Sequence, residues 1–396
     1  MAAVSSEPDP EALRGFASVA RERLGAGVRL FFAPGRVNLM GAHLDYNGGP
    51  VMPTAIDRGT WIAVGERRDG LARLASLGQA GAVEVPLDAL PDSAAGAWHD
   101  YPVGVLRALA AGGHACGGVE LLYSGNLAIG AGLSSSASIC VGTAYALSST
   151  HGFELAPGDL VRIALAAERG FVGVRCGIMD PFAVAHSKPG HLLWVDCKDE
   201  SHAHVPLDPE RLTIAVADSG VRRELAQGAF NERVEQCRRA YLALKHAAPE
   251  ATCLRDVSRA VLDGERDRLA PVVARRARHV VDEVQRAFEA RAALEAGDAA
   301  GFGRRMTESH TSLRELYEVS ILELDVLVEA AVTTPGVLGS RLTGAGFGGC
   351  TVILLERGAE SALEQALGDA YERRFGRRPK VAFYRGDPGP RELSLD

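Results

Sequence analysis

The side chains best suited to chemistry crowd one stretch near the N-terminus. Pro34-Gly-Arg-Val-Asn-Leu-Met-Gly-Ala-His-Leu-Asp-Tyr-Asn-Gly-Gly49 sets Arg36, Asn38, His43, Asp45 and Asn47 among glycines. A cation, an imidazole, a carboxylate and two amides in a turn-rich run suit a polyhydroxylated ligand; the bland alternative is a solvated polar loop. A second segment, Gly130-Ala-Gly-Leu-Ser-Ser-Ser-Ala137, lies between a β-prone stretch and a helical one. Glycines let backbone N–H groups approach an anion, and the helix N-terminus behind them adds its positive dipole end. The serines supply hydroxyl donors and a candidate Mg²⁺ ligand, although the same residues also make an ordinary helix-capping turn. GxxxxGK[ST] is absent, so this is no P-loop. A third segment, Gly344-Ala-Gly-Phe-Gly-Gly349, reads equally as a tight turn or as backbone leaving room for a ligand.

These segments need elements to hold them. Residues 10–25 read as an amphipathic lead-in helix. Strands are expected at Val28–Phe32, Trp61–Glu66, Gly118–Ser124 and His191–Asp196, with helices at Tyr101–Ala111, Ser135–Ser149 and Asp159–Gly170. The second half opens on a strand, Leu212–Ala217, and turns helical over Asn231–Ala247, Leu269–Ala290 and Ala299–Val319. Strands around Gly349–Glu356 and Val381–Arg385 close it. The character changes at Pro206–Pro209, which divides the chain into lobes 1–205 and 206–396 of an α+β protein without internal repeats.

Composition narrows the function. At 396 residues, 47% hydrophobic and 23% charged, the chain is an ordinary globular protein. A formal charge of -7, without basic blocks interleaved with aromatics, argues against a nucleic-acid partner. No apolar run has the roughly 18 to 20 residues a membrane helix needs, so no membrane association is expected. The acidic, Pro-bearing start MAAVSSEPDPEALRGF does not read as a signal peptide. Seven scattered cysteines with no CxxC pair suit reduced, buried thiols and a cytoplasmic location.

All three segments resemble the three motifs of the GHMP small-molecule kinases, and the first resembles the galactokinase branch. Cys176-Gly-Ile-Met-Asp180, Asn231-Glu-Arg-Val-Glu-Gln-Cys237, Ser309-His-Thr-Ser-Leu313, Tyr317-Glu-Val-Ser320 and Glu323-Leu-Asp325 are similar to galactokinase stretches as well. The resemblance implies a two-lobed GHMP kinase fold, its N-terminal lobe like domain 2 of ribosomal protein S5 and its C-terminal lobe ferredoxin-like. It implies ATP as co-substrate, Mg²⁺, a small-molecule sugar, and a monomer or weak homo-oligomer. Asp180 matches the family's catalytic carboxylate, with Arg36 beside it at the transferring phosphoryl group. Gly130, Gly132, Leu133, Ser134, Ser135, Ser136 and Ala137 match the triphosphate loop. Ser136 and Glu168, twelve residues before Asp180, match the metal contacts. Ala42, His43, Asp45, Gly177, Asp180 and Phe230 match sugar-facing positions. Arg222 matches a family arginine of less defined role.

The chain departs from the family in three places. Gly41-Ala42-His43 replaces the usual Gly-Glu-His, Phe230 stands where Tyr is usual, and Pro181 follows Asp180 in place of Gln. Losing a carboxylate beside carbon 6 removes a charge that repels an acid by a few kcal/mol at about 4 Å. A galacturonate would then fit, with His43 as its partner and Arg222 or Arg223 as further candidates. Plant galacturonokinases carry a similar Gly-Ala-His-x-Asp. Galacturonic acid is therefore the expected substrate and galactose the alternative, with L-arabinose or D-fucose behind them. A galactose and ATP sensor without turnover is the reading from another class; Ser135, Ser136, Ala137, Arg36, Asp180 and Glu168, all present, argue against it.

Overall fold

The structure, a computed structural model, describes residues 10–127, 132–174, 176–221 and 226–394. Helix α1 (Pro10–Leu24) leads into strands β1 (Arg29–Asn38), β2 (Pro50–Val51), β3 (Pro53–Glu66), β4 (Leu71–Ser76) and β5 (Ala82–Pro86). Helix α2 (Asp100–Ala111), strand β6 (Val119–Gly125) and helices α3 (Ser135–His151), α4 (Pro157–Leu165) and α5 (Met179–His186) follow. The hairpin β7 (His191–Asp196) and β8 (His202–Pro206) precedes β9 (Leu212–Asp218). Then come α6 (Ala226–Leu244), α7 (Arg259–Gly264), α8 (Pro271–Glu295), α9 (Ala299–Ser312) and α10 (Leu322–Val332). The chain closes with β10 (Val337–Thr343), β11 (Cys350–Glu356), α11 (Glu360–Phe375), β12 (Lys380–Tyr384) and β13 (Arg391–Leu393).

Strand β1 is buried on both faces because each face has its own cover. Leu30 and Phe32 alternate with Phe31 and Ala33, as side chains of a pleated strand must. The first pair packs with Phe16 and Ala20 of α1, the second with Cys140, Val141 and Ala144 of α3. The six-stranded sheet runs β13-β1-β3-β6-β4-β5, antiparallel except between β4 and β6. The last strand of the chain thus returns to the sheet of the first. A second sheet has the order β12-β9-β11-β10, antiparallel throughout. With α11 between β11 and β12 and α10 before β10, this is the expected ferredoxin-like β-α-β-β-α-β arrangement. A short third sheet, β2-β7-β8, lies against α8, which also packs on α6 and α9.

The fold is α+β as expected, with three local corrections. Pro34–Asn38 is not loop: β1 continues through it, with a register shift at Pro34/Gly35 that spares proline a ladder donor. The helix expected over Asp159–Gly170 is α4 followed by a π-helical turn, Ala166–Val172, and the one over Ala299–Val319 is α9 followed by a π-helical turn, Leu313–Tyr317. All seven cysteines are free thiols, three buried and four half-buried. Among the described residues, no helix is long and apolar enough to cross a membrane.

Ser138 ties α3 to the sheet. Its fully buried hydroxyl donates to the Ala33 carbonyl at 2.8 Å and meets Thr60 Oγ1 at 2.8 Å. Ser138→Ala strands both partners, so it should cost about 1–3 kcal/mol. A melting temperature equal to that of the unaltered protein would count against this role.

Candidate active site

Arg36 is the point where three segments meet. Its guanidinium grips Asp180 in a two-pronged pair, Nε to Oδ1 and Nη2 to Oδ2, each at 2.7 Å. Nη1 donates to the Gly132 carbonyl at 2.6 Å, and the Arg36 amide donates to the Leu133 carbonyl at 3.1 Å. The loop can lie this close to β1 because the neighbour is Gly35: a Cβ there would stand 2.6 Å from the Leu133 oxygen. Ser134, in left-handed backbone at φ +60°, turns its hydroxyl onto Asp180 Oδ2. Asp180 sits in the first turn of α5, where the helix dipole favours an anion and Pro181 costs no hydrogen bond.

Asp45 stands beside this pair. Its carboxylate lies against Gly177, where a Cβ would come within 1.8 Å of Oδ2, so only glycine permits the contact. Burial pushes the Asp45 carboxyl up to about 6, and the negative charge of Asp180 adds to the effect.

His43 begins a chain of polar contacts running away from the cleft. Its Nδ1 meets the Tyr46 hydroxyl at 2.8 Å, which meets the Tyr317 hydroxyl at 2.7 Å, which lies 3.1 Å from Cys237 Sγ. Phe230 packs over both rings, with centroids 6.0 Å from His43 and 5.3 Å from Tyr46. Burial drives both tyrosine hydroxyls well above their ordinary range, so both stay protonated. Tyr317 ends a π-helical turn whose carbonyls are pinned by two arginines. Arg233 donates to the oxygens of Tyr317 and Glu318, and Arg276 to that of Leu316.

Glu168 lies on the other π-helical turn, a common feature of functional sites. It is buried, bonded to the Ser136 hydroxyl, and its Oε2 has no hydrogen-bond partner among the described residues. Burial pushes its carboxyl up to about 7, with Asp180 contributing and Ser136, Arg169 and Arg36 opposing. An orphaned carboxylate oxygen beside a hydroxyl, both hard donors, fits Mg²⁺. No group of three or more His, Cys, Asp or Glu side chains that could hold a metal ion exists among the described residues.

Ala42 does not face an emptied, uncharged space. It is buried, and both of its backbone polar groups are held by α8: the amide donates to Glu283 Oε1 at 3.1 Å, and the carbonyl meets His279 Nε2 at 3.3 Å. Burial alone would raise the Glu283 carboxyl, but Arg286, His279, Arg341 and the Ser309 hydroxyl outweigh it and hold it below the usual range. A carboxylate therefore still stands behind position 42, supplied from a distant helix.

The structure brings together Arg36, Asp180, Gly132, Leu133 and Ser134, and sets Asp45 against Gly177; Ser135, Ser136 and Ala137 form the first turn of α3, whose amides are free of helix partners. It places Ser134 on the carboxylate of Asp180. Gly130, Arg222 and Arg223 lie outside the described residues. The third segment touches β1 through its flank: Arg341 Nη2 donates to the Asn38 carbonyl at 2.7 Å, while Phe347 is tied to Val319. Tyr46 lies in the first motif and Tyr317 opens the stretch Tyr317–Ser320, but their contact joins residues on different elements. Glu283 and Arg341 carried no local signal, since their partners Ala42 and Asn38 lie far away in the chain.

This two-lobed arrangement defines a GHMP small-molecule kinase. The GHMP kinase N-terminal domain matches residues 100–188, the GHMP kinase C-terminal domain residues 290–373, and the galactokinase galactose-binding signature residues 21–66. A galactokinase of Roseiflexus sp. is 42% identical over 90% of this chain and 91% of its own length. That of Bacillus subtilis is 40% identical over 97% of this chain and 99% of its own. The crystal structure of Lactococcus lactis galactokinase complexed with galactose superimposes with a TM-score of 0.91 at 32% identity, covering 96% of this chain and all (100%) of that one. Methanococcus jannaschii mevalonate kinase, at 18% identity and a TM-score of 0.64, shares the fold. The chain belongs to the galactokinase family and is a sugar kinase of the galactokinase type.

The raised Glu168 carboxyl has a consequence for stability. Its acid form is favoured by the fold, so its contribution is complete below the unfolded value of 4.5 and is lost as pH rises through about 7. Glu168→Gln should therefore raise the melting temperature of the ligand-free protein at pH 8 and change it little near pH 4.5. Scanning fluorimetry across that range checks this; a pH-independent difference would rule out the strained carboxylate.

Proposed function

We propose that the chain transfers the γ-phosphoryl group of ATP to the anomeric hydroxyl of D-galactose, giving galactose 1-phosphate. The observation that carries this is the contact of Asp45 with Gly177, which sets the sugar motif against the segment bearing Asp180. The anomeric hydroxyl would then meet Asp180 while Asp45 receives hydroxyls farther round the ring.

Asp180 has about four lone-pair directions on its carboxylate. Arg36 takes two and Ser134 a third, all but one of the last three bonds falling on Oδ2. The remaining direction, on Oδ1, is open to one sugar hydroxyl. A carboxylate shared among three donors suits orienting that oxygen for in-line attack. Arg36 stabilises charge developing on the transferring group, and the first turn of α3 cradles the triphosphate with its free amides. Ser136 and Glu168 would hold Mg²⁺, which supplies charge neutralisation at the phosphate oxygens. Gly177 and His43 shape the sugar side, and Phe230 closes it with an aromatic face.

The neighbours favour galactose over the galacturonate expected from Ala42. Relatives about 40% identical over almost their whole length are galactokinases.

ADP release with Mg·ATP and galactose, galacturonate, L-arabinose or glucose tests this directly. Galactose should lead, and galacturonate well ahead would overturn the assignment. Ala42→Glu should then raise galactose turnover further and suppress any residual galacturonate turnover; an unchanged preference would remove charge at position 42 as a determinant. The sugar KM should also rise as pH falls through about 6, where Asp45 gains its proton and loses acceptor capacity. Asp45→Asn should abolish that bend while leaving the KM for ATP flat.

A further inference from the structure

We propose that Glu283, on α8 of the second half of the chain, is the positioning residue of the sugar-facing turn and acts through the backbone amide of Ala42. The proposal rests on the reading that Ala42–Asp45 faces the sugar.

The turn itself is not self-supporting. Gly41 has φ +84° and His43 has φ +59°, so Ala42 is flanked on both sides by left-handed backbone. For His43, a side chain with a Cβ, that conformation costs energy and persists only where its surroundings impose it. Gly41 cannot be relieved, since a Cβ there would stand 2.2 Å from the Pro50 carbonyl. What holds the turn is α8. Glu283 and His279 lie one helical turn apart and so share a face. They bracket a single peptide residue, one taking the Ala42 amide and the other reaching the Ala42 carbonyl. A neutral His279 that donates from Nε2 leaves Nδ1 to accept the Ser312 hydroxyl at 2.8 Å, so one tautomer satisfies both contacts.

Glu283 is fully buried, and every one of its contacts serves that grip. Oε1 also accepts the Ser309 hydroxyl at 2.6 Å, Oε2 is paired with Arg286, and Arg341 adds positive charge nearby. A buried ionised carboxylate is expensive, and an apolar residue of similar volume would pack at least as well. Its specific return here is a charge-assisted hydrogen bond to the Gly41–Ala42 peptide, between the two left-handed residues of the turn. The same α8 face also packs the His279 ring, tilted, against Tyr317, with centroids 4.4 Å apart, so the helix supports both ends of the His43–Tyr46–Tyr317 chain.

The test measures KM for sugar, KM for ATP and kcat in Glu283→Gln and Glu283→Ala, using whichever sugar the unaltered enzyme phosphorylates fastest. That choice separates the two ideas: the sugar profile of the unaltered enzyme judges the substrate reading, and the ratio between variants judges Glu283. Loss of the charged acceptor should raise the sugar KM roughly tenfold in Glu283→Gln and up to about a hundredfold in Glu283→Ala. The KM for ATP and kcat should stay within about threefold. Asp282→Asn, on the neighbouring position that pairs with Arg259 and Arg278, should leave all three constants unchanged. Glu283→Gln preserves volume and supplies a folded variant if the alanine form does not fold. A sugar KM within twofold of the unaltered enzyme in the folded glutamine variant, or equal loss in both KM values, would reduce Glu283 to general scaffolding and overturn the proposal.

Discussion

Everything in the site depends on how Arg36 is satisfied. Its guanidinium is almost wholly buried, and a buried cation must be paired and hydrogen-bonded to be tolerated. The chain meets that demand with Asp180 from α5 and Gly132 from the loop before α3. One side chain on an interior strand thereby fixes the distance between the Gly132–Ser134 loop and the Asp180 carboxylate. Gly35 and Ser134 are local consequences of the same requirement, since one lets the loop approach and the other adds a third donor to Asp180.

The carboxylates around this centre share one functional group and differ only in company. Asp45, half-buried, and Glu168, buried, form no ion pair among the described residues, and desolvation shifts both toward the acid form. Glu283 is buried more completely but has Arg286 and Arg341 beside it, and it stays ionised. The first two are poised to gain from a ligand that brings donors or positive charge; the third is already satisfied and belongs to the frame. Such acceptors, held in place before the ligand arrives, avoid reorganisation during reaction.

The second half of the chain reaches the first motif from behind. Helix α8 grips Ala42, and the π-helical turn after α9 delivers Tyr317 to Tyr46. The extra residue in that turn, like the one bearing Glu168, resets the helical phase and aims a side chain that regular geometry would send elsewhere. The two lobes are joined by buried hydrogen bonds at the motif itself, Glu283 to the Ala42 amide and Arg341 to the Asn38 carbonyl.

The sequence by itself determined the class of protein. Glycine density, the serine run before a helix, and the polar cluster from Arg36 to Asn47 are local patterns with local causes: backbone freedom, free amides and turn chemistry. They made the motifs and most strands and helices legible, including α3 and β7. Alternation and periodicity do not register a strand that passes through Pro34, nor a helix that widens by one residue at Ala166 or Leu313, because packing rather than propensity imposes both. Tertiary structure alone decided what surrounds position 42. In the sequence, Ala42 is a missing carboxylate; in the fold, Glu283 arrives from 241 positions away, paired with Arg286, and takes the Ala42 amide. Electrostatic surroundings depend on distance in space, and a sequence records only distance along the chain.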